Sequence, residues 1–219
     1  MSVYFKSAAI VFGCGLIGTA HADSILTFEK SGPGGVTETR TVSITGRWLR
    51  IDSSAEGGPD YTLMDTGRML MFEVDDKNRR FRQSHMGKYY WPKDVMAKLK
   101  PMREKAAVSG VRCRKVDEIE KGKSVANHCM VAGIDIGLNE RKTKSLSRLF
   151  LVSRRMKLDW VAATTPDERQ VSISSHNPAT GEGLKFISAV HKPIPDNRIK
   201  IPDEYKPMVL KQEKHKHAK

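Results

Sequence analysis

The residues of this chain best suited to chemistry are few and widely spaced. Three cysteines stand at 14, 113 and 129, and seven histidines at 21, 85, 128, 176, 191, 215 and 217. Cys113 and Cys129 flank Glu120-Lys121-Gly122-Lys123 within two alternating runs, Val111 to Val116 and Ser124 to Cys129. Folding these about Lys121 as a hairpin puts the two thiols opposite each other, within the reach of a cross-strand disulfide. A thiol pair that binds metal is the rival reading. It lacks support, because neither a Cys-x-x-Cys nor a matched histidine pair accompanies the thiols.

The remaining chemistry-bearing residues form no recognisable catalytic set. Gly122-Lys123-Ser124 ends like a phosphate-binding loop, but Asp117 stands where the opening glycine must be, so a hairpin turn is expected. There is no Gly-x-Ser-x-Gly and no His-Glu-x-x-His. Asp75-Asp76 reads as turn chemistry rather than as paired catalytic carboxylates. His85, His128, His176 and His191 fall on predicted strands or strand ends, and His215-Lys216-His217 sits in a lysine-rich tail that repels cations. The expectation is a protein without catalytic residues, cofactor or metal.

The amino terminus explains where such a chain would work. Lys6 supplies charge, Ala8 to Ile17 is an uncharged and mostly apolar run, and Ala20-His21-Ala22 offers small residues at −3 and −1. This pattern predicts a signal peptide over residues 1–22, cleaved between Ala22 and Asp23. The apolar run is far short of the roughly 20 residues a membrane helix needs, and no later segment predicts a transmembrane span. Val11-Phe12-Gly13-Cys14 loosely resembles a lipobox, which makes lipid anchoring through Cys14 a minor alternative. An oxidising compartment beyond the membrane also suits the Cys113–Cys129 bridge.

Removing residues 1–22 takes away Lys6 and no acidic residue, leaving 37 basic against 25 acidic side chains and a net charge of +12. That excess favours acidic partners, such as an anionic lipid head group or an acidic envelope protein. Nucleic acid fits the charge but not the compartment. A monomer of one domain, residues 23–207, is expected, with 208–219 as a basic disordered tail.

The elements that must position these residues are mostly short strands. Ile25 to Lys30, Val36 to Ile44, Arg47 to Asp52, Tyr61 to Asp65, Arg68 to Val74 and Arg79 to Ser84 alternate, with Gly, Asp or Asn at the turns between them. Arg169 to His176 and Leu184 to Lys192 follow, with Leu184, Phe186 and Val190 on one face. Two stretches have helical spacing: residues 92–105, through Val95, Met96, Leu99 and Met102, and residues 140–161, through Leu146, Leu149, Phe150, Met156 and Trp160. The fold class expected is α+β, mainly β: a curved antiparallel half-barrel with both helices packed on its concave face.

Taken in order, these pieces resemble the DUF4412 proteins of bacterial envelopes. The likeness runs through Ile25 to Gly35, through Gly46-Arg47-Trp48-Leu49-Arg50-Ile51-Asp52, through Met69 to Arg82, and through the closing Ile199-Lys200-Ile201-Pro202-Asp203-Glu204-Tyr205-Lys206. It implies an architecture like that of the LolA and LolB lipoprotein carriers, a curved sheet closed by helices over an apolar hollow. On that reading Leu49, Ile51, Met69, Met71, Leu146, Leu149, Phe150 and Phe186 line or cover the hollow, which would take a lipid, another apolar ligand or a lipoprotein. Arg148, Arg154 and Arg155 on the second helix would meet an anionic surface. Trp48, Tyr89, Tyr90 and Trp91 offer aromatic bodies with polar tips, suited to a binding rim. The alternatives are an interaction module without a cavity and, third, an envelope hydrolase whose scattered residues converge in space.

Overall fold

A computed structural model of the chain describes residues 22–52, 59–86, 98–155 and 168–208. Twelve strands form one open, curved sheet: β1 Ser24–Ser31, β2 Thr37–Thr45, β3 Trp48–Asp52, β4 Tyr61–Asp65, β5 Leu70–Asp75, β6 Arg80–His85, β7 Lys98–Val108, β8 Val111–Glu120, β9 Lys123–Ala132, β10 Gln170–His176, β11 Gly183–His191 and β12 Lys206–Pro207. Their spatial order is β12-β6-β5-β4-β3-β2-β1-β11-β10-β9-β8-β7. All neighbours are antiparallel except β12, which runs parallel to β6. The two halves of the chain each form a meander, and β1 joins them by pairing with β2 on one side and β11 on the other.

Strand alternation decides what each face buries. Leu26, Phe28, Val42, Ile44, Leu49, Ile51 and Met71 point to one face and join the principal core with Leu184 and Phe186. The opposite face of β4 to β6 carries a separate cluster, Tyr61, Leu63 and Val74, against which Phe72, Phe81, Ile201 and Tyr205 pack. The closing segment singled out by the family likeness therefore seals the back of the sheet. There Tyr205 donates its phenol to Asp76, and Arg198 reaches Asp52 at 2.8 Å.

One α-helix, α1 Glu140–Arg155, lies against the principal core. Asn139 caps it, its Oδ1 accepting from Lys142 N at 3.0 Å, and Glu140 suits the positive end of the helix dipole. Leu146, Leu149 and Phe150 are fully buried, and Phe150 meets Phe28 edge-on at 6.3 Å. The described helix ends at Arg155, and the remainder of the expected 140–161 stretch lies outside the described residues. Among the described residues no helix is long and apolar enough to cross a membrane.

Three expectations need correction. Residues 92–105 do not form a helix throughout: 98–108 is the strand β7, and 87–97 lie outside the described residues. The helical spacing of Leu99 and Met102 misled, and Pro101 is tolerated because β7 is the last strand of the sheet. The β8–β9 hairpin turns on Lys121 and Gly122, at φ 49° and 81°, the positive angles of a two-residue hairpin turn. A register shift after Glu118 then places Lys115, not Cys113, opposite Cys129. The disulfide still forms, diagonally, with Cα atoms 5.4 Å apart. Finally, a bulge in β11 opposite Thr27 and Phe28 reverses the alternation. Phe186 stays buried, but Val190 is turned out to 48% exposure and Ala189 packs inward instead.

Candidate functional site

The eight residues expected around a hollow do converge. Leu49, Ile51, Met71, Leu146, Leu149, Phe150 and Phe186 belong to one buried cluster, and Met69 packs against it. They come from β3, the β4–β5 turn, β5, α1 and β11, elements far apart in sequence. Each of the seven is at most 6% exposed.

The basic residues of α1 are differently disposed. Arg148 is engaged, its Nη1 donating to Thr66 O at 2.7 Å and its Nε lying 3.4 Å from Glu168. Lys144 pairs with the same glutamate at 2.9 Å. The Thr66 bond ties the helix to the β4–β5 turn, and the Glu168 contacts tie it to the segment just before β10. Arg154 and Arg155 end the helix, and their side chains lie outside the described residues. Trp48 stacks on Phe72 at 6.4 Å, on the back of the sheet. Tyr89, Tyr90 and Trp91 lie outside the described residues, as does the His215-Lys216-His217 tail.

An open groove of about 940 Å³ lies instead at the far end of the sheet, over β7, β8 and β9. A bulge creates it. Pro101 pairs with Val116 and Lys105 with Arg114, so Met102, Arg103 and Glu104 stand against Lys115 alone. Lys115 Nζ holds the bulge by donating to Glu104 at 2.7 Å. Because Cys113 and Val131 face the principal core, their neighbours Arg112, Arg114, Met130 and Ala132 face the other way. The groove floor therefore lies on the face away from α1. Met102, Ala107 and Met130 give it apolar surface, while Arg103, Lys105, Arg112 and Arg114 stand exposed along it.

The charge of this region is one-sided. Between Lys98 and Ala132 the chain carries nine basic and four acidic side chains. Of the two carboxylates lining the groove, Glu104 is paired with Lys115, which holds its pKa below the usual carboxylate range. Asp135 accepts from Ala132 N at 3.2 Å. No lining residue offers a nucleophile beside a base, since Cys113 is in the disulfide. What the groove can do is hold an anion-bearing ligand with some apolar surface.

Two buried polar clusters have no signature in the spacing of their residues. Glu118 and His128 meet at 3.0 Å on the groove face, both under 5% exposed. Ser24, at the start of β1, places its Oγ 3.0 Å from His191 Nδ1 and 3.2 Å from Lys142 Nζ. Serine, histidine and lysine together suggest nucleophile chemistry, but Ser24 is fully buried and gives a substrate no approach. Asp75 behaves as the turn residue expected: Asn78 donates to it twice, and these bonds lower its pKa. Among the described residues no group of three or more His, Cys, Asp or Glu could hold a metal ion.

No protein-family model matches the chain, so membership of DUF4412 is not shown. No curated protein matches it either. Solved structures align with much of its length. An uncharacterized conserved protein from Thermus thermophilus is 7% identical, with 87% of this chain and 91% of that one aligned at a TM-score of 0.50. PNGF-II is 8% identical over 85% of this chain and 30% of its own, at 0.47. The MucA/MucB complex of Pseudomonas aeruginosa gives 10% identity over 82% of this chain and 56% of that one, at 0.43. This chain spans less than a third of PNGF-II and little more than half of the matched chain in that complex. At such identities the likeness to the Thermus protein shows a common fold and nothing of activity.

Proposed function

We propose that this is a non-enzymatic binding module of the cell envelope that holds an acidic partner in the basic groove of β7, β8 and β9. The carrying observation is that this groove is open and rimmed by four exposed basic side chains, whereas the apolar residues under α1 are packed against one another. The envelope location rests on the signal-peptide pattern of residues 1–22. An acidic ligand would be drawn in by the unbalanced charge and retained by apolar contact with Met102, Ala107 and Met130. A labelled oligoglutamate peptide tests this at 0.1 M salt, where charges act over about 10 Å, and at 1 M, where they act over about 3 Å. Binding that fades with salt and is lost in R112E/R114E supports the reading. Binding indifferent to both changes overturns it.

A second reading keeps the apolar or lipidic ligand between α1 and the sheet. What favours it is the convergence of all eight expected residues on one cluster beneath α1. In that case α1 must move to make room. A disulfide locking α1 to β3 would abolish uptake of an apolar dye under this reading and leave oligoglutamate binding unchanged.

A further inference from the structure

The fold begins one residue after the bond expected to be cut. Ser24, fully buried, pairs with Ile44 of β2 and His191 of β11. Asp23 is held too: its carbonyl accepts from Lys192 N at 3.1 Å and its Oδ2 from Ile194 N at 2.8 Å. From the first turn of α1, Lys142 reaches this point. It is 5% exposed, and its Nζ donates to the Ala22 carbonyl and to Ser24 Oγ.

Cleavage after Ala22 removes that carbonyl and leaves the Asp23 α-amine about 2.2 Å from where its oxygen was, given ordinary C=O and C–N lengths. The charged or chargeable groups facing the new amine are Lys142 from α1, the Asp23 carboxylate and His191 from β11. Two ammonium groups beside one carboxylate, itself already accepting from Ile194 N, repel each other in this half-buried site, which disfavours full charge on both. An α-amine has an intrinsic pKa near 7.7–8.0 against about 10.4 for a lysine, so it is the group that releases its proton. Once neutral, its nitrogen lone pair becomes an acceptor for Lys142.

We propose that Lys142, Ser24, His191 and Asp23 form a seat for the amino terminus created by cleavage after Ala22, in which the α-amine replaces the lost carbonyl and is held unprotonated. Burial lowers the pKa of Lys142, and the neighbouring Asp23 carboxylate offsets part of that lowering.

The test uses mature protein from the periplasm, its first residue read by mass spectrometry, with the α-amine titrated by trace acetylation across pH. The expected midpoint lies at least one pH unit below that of the same chain in urea. In K142Q, which keeps a hydrogen-bond donor and loses the charge, the midpoint returns toward the urea value. Should K142Q not fold, the comparison of folded with urea-unfolded wild type decides alone. A folded midpoint equal to or above the unfolded one overturns the proposal, as does a mature chain that starts at a residue other than Asp23.

Discussion

Replacing Phe150 by alanine asks whether α1 is a structural helix or a loosely attached cover. Phe150 is fully buried and meets Phe28 edge-on at 6.3 Å, and Phe28 in turn meets Phe186 at 5.8 Å. Truncating a buried phenylalanine costs about 3–5 kcal/mol, of which the lost aromatic edge contact accounts for about 0.5–1.5 kcal/mol. Against a total stability of about 5–15 kcal/mol, that is a large fraction. Arg148→Gln, by contrast, removes a guanidinium bonded to Thr66 O and Glu168 at the rim of the helix. Its cost should be about 1–3 kcal/mol, because the Thr66 carbonyl loses its donor in a buried residue. Urea unfolding followed by tryptophan fluorescence measures both. If α1 is structural, F150A lowers the midpoint far more than R148Q, with the denaturant slope unchanged in each. A loss below about 1 kcal/mol for F150A would refute the placement of α1 in the core.

Other outcomes follow from the same geometry. Converting Cys113 and Cys129 to serine opens a bridge between residues 16 apart, which should cost about 3 kcal/mol in the chain-entropy account and show as a lowered unfolding midpoint. Gly133→Ala would set a Cβ 1.8 Å from Thr143 Oγ1, so a loss of about 1–3 kcal/mol is expected in the same assay. Tyr205 donates to Asp76, which pushes its phenol up to about 12. A raised folded-state value means that this clasp contributes fully below pH 10 and is lost as pH rises through about 12. Burial raises Tyr61 as well, so tyrosinate absorbance should show both titrating late in the wild type, and the late step should shrink by one tyrosine in Y205F.

Much of the sheet was legible because alternation and turn residues are local signals. β4 falls on the expected Tyr61–Asp65, and β1, β2, β3, β5 and β6 differ from expectation by one or two residues at an end. The Cys113–Cys129 bridge was legible for the same reason, since its hairpin is local. What failed depended on neighbours. Leu99 and Met102 have helical spacing, and only the position of β7 at the sheet edge explains how Pro101 sits in a strand. The bulge in β11 that exposes Val190 has no signature in its own residues, because it answers to the register with β1. The groove needed the β7 bulge, a pairing between strands that composition does not encode. The Ser24, Lys142 and His191 cluster joins residues up to 167 apart, which no spacing rule reaches.

The most direct test of the central claim is native mass spectrometry of the protein and of R112E/R114E, each taken from the same envelope preparation. The basic groove predicts a stoichiometric acidic partner on the wild type, released by added salt, and a bare variant that is folded to the same midpoint. A wild type that emerges bare, or a partner that stays bound to the charge-reversed groove, would contradict it.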